Sequence, residues 1–357
     1  MTPRSRARVE RARAGACLGI FAALSCLACG AEFDPPSEVN TLRVLAVQKD
    51  QPYAQPGDSV ELSLLWHDGA PDADRDISRV WVSGCFNPLG DAYFGCFATL
   101  AEGDGDGDGS FPESVIIGSG DSFAFQVPDD IITSRPPPLD PLQPRYGLAI
   151  VFFAACAGRL EVFAPEQAGA LPLRCLDEAN QPLGPDDFVV GYTNVFVYES
   201  FENQNATVTG FEVAGTELAA DGFCIGADCV DTNPPEDEEL DCPDDPRCVA
   251  ACSADGDPDC PEVPVRPIVA EESAEADSVA REAYGRDLTE QMWINYYVSR
   301  GSVSSPVRLL NDATTGWNPE YESNLLAPRE PGPLLIWAVV HDNRGGVEWA
   351  RARVEIY

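Results

Sequence analysis

Short stretches in which every second residue is apolar recur along this chain, and that period admits few folds. Val60, Leu62, Leu64 and Trp66 share one side of an extended chain, as do Leu42, Val44 and Ala46, then Phe123, Phe125 and Val127, and far downstream Met292, Ile294, Tyr296 and Val298. Successive side chains of a strand point to opposite faces, so this spacing buries one face and leaves the other to solvent or to a second layer. Turn chemistry separates the stretches: Pro56-Gly57-Asp58 precedes one, and Asp342-Asn343-Arg344-Gly345-Gly346 joins Leu334 to Val340 with Val347 to Ile356 as a hairpin. Val80 to Val82, Tyr146 to Cys156, Phe188 to Tyr198, Val208 to Val213 and Pro264 to Ala270 add further strands. Gly147 to Ala157 is continuously apolar but shorter than the roughly 20 residues a membrane helix needs, so it reads as a central sandwich strand. Helix is scarce, with Glu271 to Tyr284 the best candidate. The expected class is all-β.

The first residues read as a processing signal. Arg4, Arg6, Arg8, Arg11 and Arg13, with Glu10 the one acid among them, precede a small apolar run from Ala14 to Ala28. Export and cleavage are expected. Ser25-Cys26-Leu27-Ala28-Cys29-Gly30 resembles the lipobox of bacterial lipoproteins, which implies diacylation of Cys29 after removal of residues 1–28. The sequence departs from that pattern at Cys26, where the family has an aliphatic residue, and Cys26 is the alternative acceptor. Loss of Cys17 and Cys26 with the signal leaves ten further cysteines, an even number, whereas acylation of Cys26 would leave Cys29 as an odd thiol. A plain secretory signal without lipid is the remaining alternative.

With 59 Asp and Glu against 23 Lys and Arg, the chain carries a formal charge of -36, which repels phosphate backbones and argues against a nucleic-acid partner. An apolar fraction of 44% still suffices for ordinary cores. Cationic residues are almost all Arg: Lys49 is the one lysine. Length suggests two domains, 40–203 and 204–357, following a tether at 29–39. Leu42 to Val47 with Pro56 to Leu62 resembles the opening strands of bacterial immunoglobulin-like or PKD-like modules, and Trp337 to Val347, with its D-x-x-G-G turn, resembles the closing hairpin. The resemblance implies two immunoglobulin-like β-sandwich domains, here with long insertions at 87–113, 128–145, 158–185 and 214–263.

Three segments invite chemistry. Asp231 to Glu262 holds twelve acids, six prolines and four cysteines, so order there must come from disulfides or a metal. The acidic Cys-rich insertion 222–262 has no C-x2-C pair and no nearby His, which favours disulfides over zinc. The expected bridges are Cys224 with Cys229, Cys85 with Cys96, Cys156 with Cys175, and Cys242, Cys248, Cys252 and Cys260 among themselves. Asp104, Asp106, Asp108 and Ser110 open like a calcium loop, with Glu113 as the nearest late carboxylate, although position twelve is Val115. A flexible Gly-Asp loop explains the same residues, and calcium bound there would order a loop rather than do catalysis. Asp255-Gly256-Asp257 with Asp259 is a second, weaker candidate of the same kind. His67 and His341 read as strand-end polar residues, since no G-x-S-x-G elbow accompanies them. Trp293, Tyr297, Trp317 and Tyr321 read as aromatics able to stack on sugar or anchor a protein, or else as the covered second face of a strand.

The functional expectation is an exported, lipid-anchored envelope protein of the outer membrane, held by its N-terminal lipid and acting as a non-catalytic binding or structural module for an unidentified protein or glycan, with no cofactor beyond calcium. The alternative is a tethered carbohydrate-active hydrolase using paired carboxylates.

Overall fold

The computed structural model describes residues 35–71, 75–101, 115–141, 143–162, 173–229, 240–253 and 260–357. The signal segment and Cys29 lie outside them, as do Asp104, Asp106, Asp108, Ser110 and Glu113, and the stretch from Asp255 to Asp259. The fold is all-β. Four sheets account for most of it. Sheet I has the antiparallel order Leu42–Lys49, Ser59–Asp68, Ser122–Gln126. Sheet II has the order Tyr53–Ala54, Phe188–Val197, Gly147–Cys156, Ser78–Phe86, Ile117–Ser119. Sheet III runs Thr216–Glu217, Val208–Val213, Glu262–Val269, Ser323–Leu326, Ser302–Val303. Sheet IV runs Phe223–Ile225, Val347–Ile356, Gly332–Asp342, Met292–Val298, Val307–Asp312, Gly316–Trp317, with Cys248–Val249 also pairing to Val347–Ile356.

Alternation explains the packing. Val60, Leu62, Leu64, Phe123 and Phe125 of sheet I meet Trp81, Ala149, Val151 and Phe153 of sheet II. The other phase of the Gly147–Cys156 strand, Leu148, Ile150, Phe152 and Ala154, packs beneath Cys96, Leu100 and Leu173. Both faces of this strand are therefore dry, which is why its sequence is uninterruptedly apolar. The cover is tied down by the Cys85–Cys96 and Cys156–Cys175 disulfides. On the C-terminal side, Met292, Ile294, Tyr296 and Val298 face Phe211, Val213, Val265 and Leu325 across a second core.

Among the described residues no named strand pairs across residues 203 and 204, yet Ser37–Tyr357 forms one compact unit. What joins the two sandwiches is a third apolar layer. Leu45, Ala46 and Leu65 on the outer face of sheet I pack on Trp337, Val339, Val347 and Trp349 on the outer face of sheet IV. The order of layers is thus II, I, IV, III.

Two local expectations are corrected. Leu42, Val44 and Ala46 do not share a face, because the register shifts between Val44 and Ala46, and this bulge turns Ala46 toward sheet IV. The helix expected over Glu271 to Tyr284 is two pieces, a 3-10 turn Glu271–Ser273 and an α-helix Ser278–Tyr284. Asp277 starts the second piece, accepting from the Ala280 amide as an N-cap, and Gly285 ends it in the left-handed region.

Three further disulfides, Cys224–Cys229, Cys242–Cys248 and Cys252–Cys260, brace the Cys-rich insertion. Five bridges indicate maturation in an oxidising, extracellular or periplasmic environment. No helix among the described residues is long and apolar enough to cross a membrane.

Candidate functional site

The hairpin turn at residues 342–346 does more than reverse the chain. Asp342 accepts from the amides of Arg344 and Gly346 at 2.7 and 2.8 Å, which leaves its second oxygen for the Asn203 side-chain amide at 3.2 Å. A Cβ on Gly346 would collide with that carboxylate, and Gly345 sits at φ 98°, so both glycines are required by this geometry. Folded in this way, the turn drives Arg344 inward until it is 6% exposed. Its guanidinium pairs with Glu290, which is completely buried, and with Glu275 at 2.7 Å, and lies 5.7 Å from the Tyr53 ring centre.

Lys49 ends the first strand beside the same turn and is 4% exposed. Two cations, Lys49 and Arg344, therefore face three carboxylates, Glu275, Glu290 and Asp342. The excess of negative charge has a titration consequence. Burial, with Asp342 adding to it, lifts Glu290 from 4.5 to about 8 against the pull of Arg344. Burial lowers Lys49 from 10.5 to about 8, although Asp342 opposes it.

Lys49, His341, Asp342, Phe153, Thr193 and Val347 line a solvent-open cavity of about 270 Å³ where sheets I and II meet the hairpin. His341 stacks on Trp293 with ring centres 5.3 Å apart, and His67 lies 4.7 Å from Trp337. Burial holds both imidazoles at about 4 rather than 6.5, against the attraction of Asp68 and Asp342. They are neutral packing groups at pH 7.

These shifts set a pH profile with a definite sign. The unfolded chain takes up protons that the two imidazoles refuse, so their contribution is whole above pH 6.5 and is lost as pH falls toward 4. Glu290 and Glu348 act oppositely. Burial raises Glu348 to about 7 from 4.5, so the folded protein holds protons that the unfolded chain releases, and stability falls as pH rises through 4.5 toward 8. The two slopes oppose each other between 4.5 and 6.5, and only the carboxylates act from 6.5 to 8. The melting midpoint is expected to be nearly flat from pH 5 to 6.5 and lower at pH 8. Glu348→Gln should remove roughly half of that drop, read by thermal melts at pH 6 and 8.

A second cavity, of about 450 Å³, opens on the disulfide-braced side of sheet II and is lined by Asn87, Leu89, Asp91, Arg135, Leu139 and Tyr146 among others. Arg135 lies 4.0 Å over the Tyr146 ring and, like the Tyr146 hydroxyl, bonds Asp91 at 2.6 Å. Its other terminal nitrogen, Nη1, is buried without a partner among the described residues. The rim is apolar and wet: Leu89 is 88% exposed and Leu139 is fully exposed.

The aromatics singled out in the sequence do not form a platform. Trp293 and Tyr297 lie against His341 and the layer between sheets I and IV, while Tyr321 is buried and meets Trp317 edge-on at 6.1 Å. The second face of the Met292–Val298 strand is covered, by sheet I rather than by an insertion, while Trp317 and Tyr321 belong to the core between sheets III and IV. Sequence reasoning missed the Lys49, Arg344 and Glu290 cluster, whose residues looked like ordinary surface charge.

No family model matches the chain, and no curated protein does. Among solved structures it is similar to dimeric latent PorU from Porphyromonas gingivalis, at 9% identity and a TM-score of 0.19, over 90% of this chain and 24% of that one. It is also similar to Escherichia coli alpha-2-macroglobulin activated by porcine elastase, at 9% identity and 0.19, over 91% and 22%. The chain spans about a quarter of the length of either. Likeness at this level carries no argument about activity.

Proposed function

We propose that this chain is an exported, lipid-anchored cell-envelope protein, of the outer membrane, that works by binding rather than by catalysis. The observation supporting this reading best is the cavity around Arg135 and Tyr146 with its exposed apolar rim, mounted on a sheet that two disulfides hold rigid. Large apolar side chains left in water beside a preformed recess suit a partner surface. The carboxylate with the largest upward shift, Glu290, is sealed beneath Arg344, so it lacks the access to water that a hydrolytic acid needs.

Two measurements check the proposal. Intact mass of the native protein should show loss of residues 1–28 with acyl chains on Cys29, and Cys29→Ser should release the protein from the membrane fraction. A photo-crosslinking residue at Leu89 should capture one partner in intact cells, whereas the same residue at Tyr284, which is 55% exposed on the C-terminal half, should not. Equal, diffuse labelling from both positions would refute the binding surface.

A further inference from the structure

We propose that Lys49 is a covalent capture site whose side-chain amine takes a small apolar aldehyde from the cavity beside the hairpin as a protonated imine, with Asp342 as counter-ion. The proposal goes beyond the binding-module reading, since it uses a different cavity and needs no lipid anchor.

The first argument is residue choice. The chain meets every other need for a cation with Arg, 22 times, and keeps one lysine. That lysine is not on the surface, where the two residues exchange freely, but is 4% exposed and lines a cavity. Guanidinium and ammonium both supply charge, but only the amine can form a C=N bond with a carbonyl carbon.

Surroundings supply the second argument. Among the described residues the Lys49 amine makes no hydrogen bond and no ion pair within 4.0 Å, so no partner withholds its lone pair. The amine lies against Gly345, 3.2 Å from where a Cβ would stand, and Gly345 lines the same cavity. Burial shifts the ammonium toward neutrality near physiological pH. Asp342, the carboxylate whose charge acts on Lys49, is held in place by two backbone amides and Asn203. Val44, Phe153 and Val347 give the cavity apolar walls that favour loss of water from the adduct.

The step balances without an oxidant or reductant. The neutral amine adds to the carbonyl carbon, the C=O π pair moves to oxygen, and that oxygen takes a proton. Its departure as water leaves C=N, protonated on nitrogen. In sum, the ammonium and the aldehyde give an iminium and one water.

Butanal followed by borohydride provides the test, because reduction fixes the imine as a butyl group on the amine. Native protein at pH 7.5 should acquire, besides the butyl group on its N-terminal α-amine, one that peptide mapping assigns to Lys49, at a level saturating with butanal and at least about tenfold above that of Nα-acetyl-lysine amide in the same mixture. Lys49→Met should lose the label at that position. Thr193→Trp, which keeps the amine and fills the cavity, should lower the label several-fold. A lysine that only fills space predicts labelling at or below that of the free amine, or labelling that rises linearly without saturation, and either result on the native protein overturns the proposal whatever the variants do.

Discussion

At pH 9, where Glu290 has given up its proton, replacing Arg344 by Met is expected to lower the unfolding free energy by about 3–5 kcal/mol, the cost of leaving a buried charge without its partner. Glu290 has no solvent exposure to fall back on; Arg344 bonds its Oε1, and Oε2 has no donor among the described residues. Glu275 stands differently, since its side chain is about one third exposed and can be rehydrated. The loss should therefore belong to the Arg344 and Glu290 pair. Removing both, as Arg344→Met with Glu290→Leu, should recover most of it, because a well-packed apolar pair of similar volume often equals or exceeds a buried ion pair. Denaturant unfolding of the two single variants and the double variant forms a complete cycle. Additive losses in the double variant would show that the pair is not the source of the cost.

Trp337→Ala should cost a similar amount, about 3–5 kcal/mol, through the cavity left by a large buried ring. Trp337 is 1% exposed and lies in the layer between sheets I and IV, against His67, so its removal loosens the joint between the two sandwiches rather than the interior of either. The way the loss appears is as informative as its size. If the layer couples the halves, native protein unfolds in one transition and the variant in one transition at lower denaturant. Two separate transitions in the native protein, with only the later one moved by the substitution, would show that the halves unfold independently.

Much of the architecture was legible because strands announce themselves by period. The strand Val347–Ile356 and its hairpin partner followed from alternation and turn residues, and the unbroken apolarity of Gly147–Cys156 marked a central strand, which the structure shows covered on both faces. The joint between the sandwiches left a fainter trace. Leu45 and Leu65 are apolar at the phase that should be wet, each beside a residue of the expected phase, and such doublets are the signature of a strand buried twice. The charged cluster left none. Nothing local marks Arg344 in a glycine-rich turn as buried, because its cover comes from Tyr53, Glu275 and Glu290, which are brought there only by the assembled fold. Period-two reasoning also failed at Ala46, where one extra residue in the strand reverses every later side chain.

The layer that joins sheets I and IV also dictates an order of events for a chain made from its N-terminus. Leu45 and Leu65 must wait for Trp337, Val339 and Trp349, almost three hundred residues later, before their face is covered. Until the last hairpin arrives, the outer face of sheet I stays uncovered whatever the rest of the N-terminal half has done. A product cut short after residue 203 would keep that face open for good, and would be drawn to chaperones, to membranes or to other copies of itself.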